Sequence, residues 1–209
     1  MPYVVRPRRI PGSALVACSA LLAFGAASAQ ASTASVVSTP PETQTCEEPL
    51  LVQPFLYAGD SSYYTLAPGQ TPGNFNGVGW ALSGGASIKQ TTLQDGSTGY
   101  VLDMPHGSTA VSPSFCVTSA YPTARTLVRN VVGAGGVFFY VSYQGTATWN
   151  TPKNTGQLHG SGSAWTLSGS INMQPEKVSG WQIVRLTLTE PGGYGESQLY
   201  NLYIDPYRR

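Results

Sequence analysis

The chain has 209 residues, with eleven basic against ten acidic side chains and only 10% charged residues. That leaves room for one ordinary domain and excludes the basic excess that nucleic acid or an anionic membrane surface requires. Its 24 glycines and 16 prolines exclude long helices and point to many turns.

Taken in chain order, the first segment reads as an export signal. Arg6, Arg8 and Arg9 form a basic start, Ala14 to Ala27 is almost unbroken apolar sequence, and Ala27-Ser28-Ala29 supplies small residues for cleavage. The apolar run is shorter than the roughly 20 residues of a membrane-spanning helix, so residues 1–29 are assigned as a cleaved signal peptide and the mature protein is expected to have no membrane span. Leu15-Val16-Ala17-Cys18 fits the pattern preceding a lipid-modified cysteine, but the sequence stays apolar through Phe24, where a lipoprotein turns polar. Removing residues 1–29 leaves eight of the eleven basic residues against all ten acidic ones, a net charge of −2, with no basic cluster. Gln30 to Thr45 is rich in Ala, Ser, Thr and Pro and reads as a disordered leader, since it has little apolar surface to bury. One folded domain is expected over 46–209.

Within that domain, short apolar or aromatic runs alternate with Gly, Pro, Ser and Asn clusters, the signature of strands joined by turns. Tyr63 to Leu66 is one run, closed by Pro68-Gly69. Gly79 to Leu82 and Ser87 to Thr92 follow. Tyr100 to Met104 alternates, with Tyr100, Leu102 and Met104 on one face. Ser114 to Thr118 carries Cys116. Arg125 to Val131 sets Thr126 and Val128 opposite Arg125, Leu127 and Arg129. Val137 to Tyr143 groups Val137, Phe139, Val141 and Tyr143, and Trp181 to Thr189 groups Val184, Leu186 and Leu188. Leu199 to Asp205 groups Tyr200, Leu202 and Ile204. Side chains alternate across a strand, so each run should bury one face. The fold class expected is all-β, a two-sheet antiparallel sandwich of about eight to ten strands. Cys46 and Cys116, an even pair in an exported chain, are expected to form a disulfide.

Catalytic chemistry finds little support. His106 and His159 each stand beside glycine in expected loops. Gly59-Asp60-Ser61 resembles the nucleophile block of one class of esterases, but Ser62 to Leu66 reads as a strand where that chemistry needs a helix. No G-x-S-x-G elbow or phosphate-binding loop occurs. Glu47-Glu48 are the one adjacent acid pair, at the domain edge. Asp95, Asp103, Glu176, Glu190 and Glu196 are scattered over strand ends and turns, where any two could meet in space but nothing in the sequence points to the facing pair that glycoside hydrolysis uses.

The aromatic residues are the stronger signal, because sugars stack their apolar C–H faces on flat rings. Trp80 reads as core. Trp149 and Trp165 lie among Asn, Thr, Ser and Gly. Tyr140 and Trp181 fall opposite the aliphatic faces of their strands. Arg125 and Arg129 share one strand face and carry donors suited to a sugar hydroxyl or a carboxylate. Tyr140, Trp149, Trp165, Trp181, Arg125 and Arg129 are therefore the candidate ligand-binding residues.

Gly73-Asn74-Phe75-Asn76 followed by Gly79-Trp80-Ala81-Leu82-Ser83-Gly84-Gly85-Ala86 resembles the opening strand of galactose-binding-like jelly rolls. Tyr200-Asn201-Leu202-Tyr203-Ile204-Asp205 resembles their closing strand. Many carbohydrate-binding modules attached to enzymes belong to that superfamily. A fuller pattern resembles a group of small exported actinobacterial proteins without an established activity. It comprises Cys46, Asp60 with Tyr64, Leu66-Ala67-Pro68-Gly69, the Trp80 segment, Ser112-Pro113, Cys116-Val117 and Asp205-Pro206-Tyr207. The resemblance implies a jelly-roll fold outside the cell. It also implies a structural calcium, but Asn76 and Asn201 stand where acids are expected, leaving Asp205 as the nearby acid. No metal or other cofactor is therefore expected.

The leading reading is an exported, non-catalytic domain whose partner is a carbohydrate or cell-wall polymer. The opposing class is a structural or interaction protein of the cell surface or spore with no small ligand. A hydrolase with dispersed carboxylates is the third.

Overall fold

The computed structural model describes residues 45–206 apart from 121, 147, 174–178 and 192. The signal peptide assigned to 1–29, and the leader up to residue 44, lie outside the described residues.

The described residues form thirteen strands and one 3-10 turn, Leu56–Ala58. The strands are β1 (Thr65–Leu66), β2 (Ala81–Ser83), β3 (Ser87–Thr92), β4 (Thr98–Pro105), β5 (Thr109–Val111), β6 (Phe115–Thr118) and β7 (Thr123–Val132). They continue as β8 (Val137–Tyr143), β9 (Lys153–Leu158), β10 (Thr166–Leu167), β11 (Ile171–Asn172), β12 (Trp181–Thr189) and β13 (Glu196–Asp205). One sheet has seven strands in the order β10-β7-β13-β4-β3, with β1 added on β13 and β11 on β7. The other has six, β2-β5-β12-β8-β9, with β6 on β12. Every pairing is antiparallel. The chain crosses between sheets from β1 to β2, β2 to β3, β4 to β5, β6 to β7, β7 to β8, β9 to β10, β11 to β12 and β12 to β13, giving a jelly-roll sandwich. The strand count exceeds the eight to ten expected. β1 falls within the expected run Tyr63 to Leu66, but β5, β9, β10 and β11 match no expected run, since β5, β10 and β11 have only two or three residues and β9, Lys153–Leu158, lacks an apolar alternation.

The core lies where the two inner faces meet. Val184, Leu186 and Leu188 of β12 and Val137, Phe139 and Val141 of β8 come from the six-stranded sheet. Leu199, Leu202 and Ile204 of β13 and Leu102 and Met104 of β4 come from the other. Full burial of such side chains stabilises by roughly 1.5–3 kcal/mol each. The expected faces of β7, β8 and β12 match this arrangement.

Two expectations need correction. β4 is not half-exposed: Val101, Leu102, Asp103 and Met104 are all fully buried. Asp103 is covered by Lys89, at 2.7 Å, and by the Gln198 amide that donates to it at 2.7 Å. In β13, Tyr200 does not share a face with Leu202 and Ile204. The register to β7 shifts between Tyr200 and Tyr203, a β-bulge. The inserted residue reverses the alternation, so Leu199, Leu202 and Ile204 point inward and Tyr200 points out.

Turn chemistry follows the sequence where glycine is obligatory. Gly69, after Pro68, has φ 75°, and a Cβ there would stand 2.4 Å from the Val78 carbonyl oxygen. This turn seats Trp80, whose indole donates to the Pro68 carbonyl at 2.7 Å. Trp80 is buried, as expected, against Phe75. Cys46 and Cys116 form a disulfide, tying the arm before β1 to β6 across 70 residues.

Candidate functional site: two aromatic outer faces

The candidate residues divide between the two outer faces of the sandwich. Tyr140, Trp149 and Trp181 lie on the six-stranded sheet. Alternation in β12 places Trp181, Ile183, Arg185 and Thr187 opposite the buried Val184, Leu186 and Leu188. Alternation in β8 does the same for Phe138 and Tyr140. Tyr140 pairs with Thr187 and Ser142 with Arg185. Trp149 follows β8, bridges to Gln144, and stacks on Arg185 with the guanidinium carbon 4.2 Å from the ring centre. Trp181 is 37% exposed; Tyr140 and Trp149 are half-buried. Along β12, Trp181 and the Tyr140 partner Thr187 are six residues apart, roughly 20 Å at about 3.3 Å per residue. Arg185 and Trp149 sit between them.

Arg125, Arg129 and Trp165 belong to the opposite face. Arg125 Nη1 reaches Asp60 Oδ2 at 2.5 Å, and its other nitrogens donate to the Ser168 carbonyl at 3.0 and 2.9 Å. Its guanidinium also lies 5.7 Å from the Phe55 ring centre. Arg129 donates to Gln198 Oε1 at 3.0 and 2.7 Å and to the Thr91 hydroxyl at 2.7 Å, and its guanidinium lies 4.5 Å from the Trp165 ring centre. Burial lowers the Arg129 pKa. Trp165 stands edge-on to Tyr200 at 4.7 Å and donates to the Thr92 carbonyl at 3.0 Å. Donors that sequence reading offers to a ligand are here committed to the fold.

Asp60, in the segment with the esterase-like look, is also engaged. Besides Arg125, it accepts from the Tyr64 hydroxyl at 2.7 Å and the Ser62 amide at 3.0 Å. Desolvation pushes its carboxyl up, but the Ser62, Tyr64 and Arg125 bonds outweigh it and hold the pKa at about 2. Burial and the Asp60 bond raise the Tyr64 pKa. His106 and His159 are exposed. Asn76 donates to the Thr71 hydroxyl at 3.4 Å and Asn201 Oδ1 accepts from the Gly73 amide at 2.8 Å. Among the described residues no three His, Cys, Asp or Glu side chains cluster to hold a metal, and no helix is long and apolar enough to cross a membrane.

A pocket of about 470 Å³ opens on the outer face of the seven-stranded sheet. Its floor is Leu127, Tyr200, Asn201 and Tyr203. The arm at Phe55 and Tyr57, the loop at Gly73-Asn74 and the turn between β3 and β4 wall it. None of these residues is a candidate from sequence. Tyr200 and Tyr203, three apart, belong on opposite faces by strict alternation, and the bulge brings both outward.

No protein-family model and no curated protein matches the sequence. Solved structures similar to the chain include carbohydrate-binding modules and an arabinose-bound GH51 α-L-arabinofuranosidase. One is the CBM22-1–GH10 module pair of endo-1,4-β-D-xylanase 10B from Clostridium thermocellum complexed with xylohexaose, with 16% identity over 61% of this chain and 26% of that one, TM-score 0.47. A second is the CBM22-1 xylan-binding domain of Paenibacillus barcinonensis Xyn10C, with 15% identity over 63% and 88%, TM-score 0.40. A third is the family 11 module from Clostridium thermocellum with a β-1,3-1,4-mixed-linked tetrasaccharide, with 11% identity over 62% and 90%, TM-score 0.38. The chain thus spans about a quarter of the xylanase structure.

Proposed function

We propose that this protein is an exported, non-catalytic domain that binds an extended, uncharged carbohydrate on the outer face of its six-stranded sheet. The observation that carries this reading is the alignment of Tyr140, Trp149 with Arg185, and Trp181 along one sheet face over roughly 20 Å. That length suits several consecutive sugar units. Trp and Tyr offer flat apolar rings with a polar edge, which matches a sugar's C–H face ringed by hydroxyls. Each stacked ring contributes on the order of 1 kcal/mol, so binding is weak and builds with chain length. Asn154 of β9, opposite Tyr140, supplies hydrogen-bonding groups at one border. The disulfide supports an oxidising compartment, in keeping with a signal peptide over 1–29 and a leader over 30–45.

The test is titration of the oxidised protein with soluble xylan, xylohexaose, mixed-linked β-glucan and β-1,4-galactan oligosaccharides, by calorimetry and at two salt concentrations. Saturable binding is expected with at least one, little changed by salt, and weakened about fivefold or more by Trp181→Ala or Tyr140→Ala without loss of folding. Binding unaffected by both variants, or no binding to any polymer, removes the platform as a carbohydrate site and leaves the interaction-protein reading.

A further inference from the structure

The pocket on the opposite face rests on independent observations. Its volume, about 470 Å³, lies within the range of small-molecule sites, roughly 300–1,000 Å³. Its walls come from three separate segments, and each is fastened. The arm is held by the edge-on cluster of Phe55, Tyr64 and Tyr203, with ring centres 5.2 and 5.4 Å from Phe55, and by the Asp60–Arg125 pair. The loop is held by Asn201 on the Gly73 amide and by Asn74 Oδ1 on the Tyr100 amide at 3.1 Å. The β3–β4 turn is held by the Tyr200 hydroxyl on the Gln94 amide at 3.1 Å and by Asp95 on the Ser97 amide at 2.9 Å. The walls are therefore in place before a ligand arrives.

The floor is built by a departure from regular β structure. At the bulge Asn201 has φ 52°, the one positive value outside glycine among the described residues. The surroundings maintain it: Thr126 donates to the Tyr200 carbonyl at 2.8 Å, and Gln70 accepts from the Leu202 amide at 3.0 Å. Bulges re-aim side chains beside binding sites, and backbone strain of this kind persists where structure over-determines it. Here the result is that Tyr200 and Tyr203 both face the pocket. Tyr203 is 6% exposed, and its side chain lines the pocket beside Tyr200.

The lining dictates the ligand. Rings of Tyr200 and Tyr203 and the side chain of Leu127 make an apolar base. Asn74, Gln94, Ser97 and Asn201 place amide and hydroxyl groups around it. Asp95 is the one charged lining residue, so an anion is disfavoured. We infer that this pocket is a second binding site, separate from the platform, that takes a single uncharged sugar ring, one apolar face against the tyrosines and its hydroxyls toward the rim. The inference rests on the carbohydrate reading only for the class of ligand. The geometry of the pocket is independent of it.

The experiment is two-dimensional amide NMR of the oxidised protein with millimolar xylose, glucose, galactose and arabinose, and with choline as a cationic probe. Shifts are expected for residues 57, 94, 97 and 201 with at least one monosaccharide, none with choline, and none on β12. Tyr57→Ala, at the exposed rim, and Tyr203→Phe, which removes only the hydroxyl, should weaken the monosaccharide about fivefold to tenfold, as loss of a stacking ring or one hydrogen bond does. Trp181→Ala should leave it unchanged. The pocket is overturned if no monosaccharide moves those signals while polymer still binds the platform, if Trp181→Ala removes monosaccharide binding while Tyr57→Ala and Tyr203→Phe do not, or if choline alone binds. Monosaccharide binding at the pocket without polymer binding on the platform sinks the platform and leaves the pocket standing.

Discussion

At the scale of the residue, two carboxylates have opposite relations to pH. Asp60 ionises at about 2 rather than 3.8, because three hydrogen-bond donors outweigh its partial burial. A folded-state pKa below the unfolded one contributes stability that is present above 3.8 and lost as pH falls toward 2. The shift corresponds to about 2 kcal/mol, and Asp60→Asn should lose that amount at neutral pH and show a flatter acid limb in thermal melts. An unchanged melting temperature would show that the Arg125 contact contributes nothing. Glu190 behaves the other way. Burial raises its pKa, only partly countered by the Gly136 amide, the Ser197 hydroxyl, His106 and His159. A raised carboxyl stabilises fully below its ordinary value of 4.5 and loses that contribution as pH rises through the folded value. Glu190→Gln should therefore hold or raise stability at neutral pH and lose the gain in acid, read from the same melts.

At the scale of the element, β13 organises the molecule. It joins β7 on one side and β4 on the other, receives β1, and carries the bulge that sends Tyr200 outward and Leu202 inward. The bulge depends on side chains from elsewhere, Thr126 above all. Thr126 is fully buried, and Val has the same shape without the donor. Thr126→Val should cost roughly 1–3 kcal/mol by leaving the Tyr200 carbonyl unpaired. It should also move the amide signals of residues 199–203. A urea midpoint equal to the parent's would mean that the bulge holds itself. Gly69→Ala tests the Pro68-Gly69 turn in the same way. Its Cβ meets the Val78 carbonyl in a left-handed conformation, so a loss of more than about 1 kcal/mol is expected.

At the scale of the whole molecule, the Cys46–Cys116 bond fastens the arm that walls the pocket to the six-stranded sheet that carries the platform. Closing a 70-residue loop restricts the unfolded chain by about 4 kcal/mol in the chain-entropy account. Cys46→Ser should lower stability by roughly 2–4 kcal/mol, with the loss seen as a lower melting temperature that reducing agent reproduces in the parent. Equal melting temperatures with and without reductant would refute it. The amino-acid sequence by itself determined the sheet class, the inward faces of β7, β8 and β12, the Trp80 core position and the cysteine pairing. Each of these follows from local alternation, turn residues or an even cysteine count, which neighbouring positions carry without reference to the rest of the chain. Only the tertiary structure decided that Arg125 belongs to Asp60 and Arg129 to Gln198 and Trp165, and that the six candidates fall on two faces rather than one. It alone decided that Tyr200 and Tyr203 meet at a pocket. Those outcomes depend on partners up to 69 residues apart in sequence and on a one-residue bulge. The bulge is hidden in the sequence because Leu199, Tyr200, Leu202 and Tyr203 place apolar or aromatic residues on both faces in either register, while the groups that maintain it, the Thr126 hydroxyl and the Gln70 amide, come from other segments.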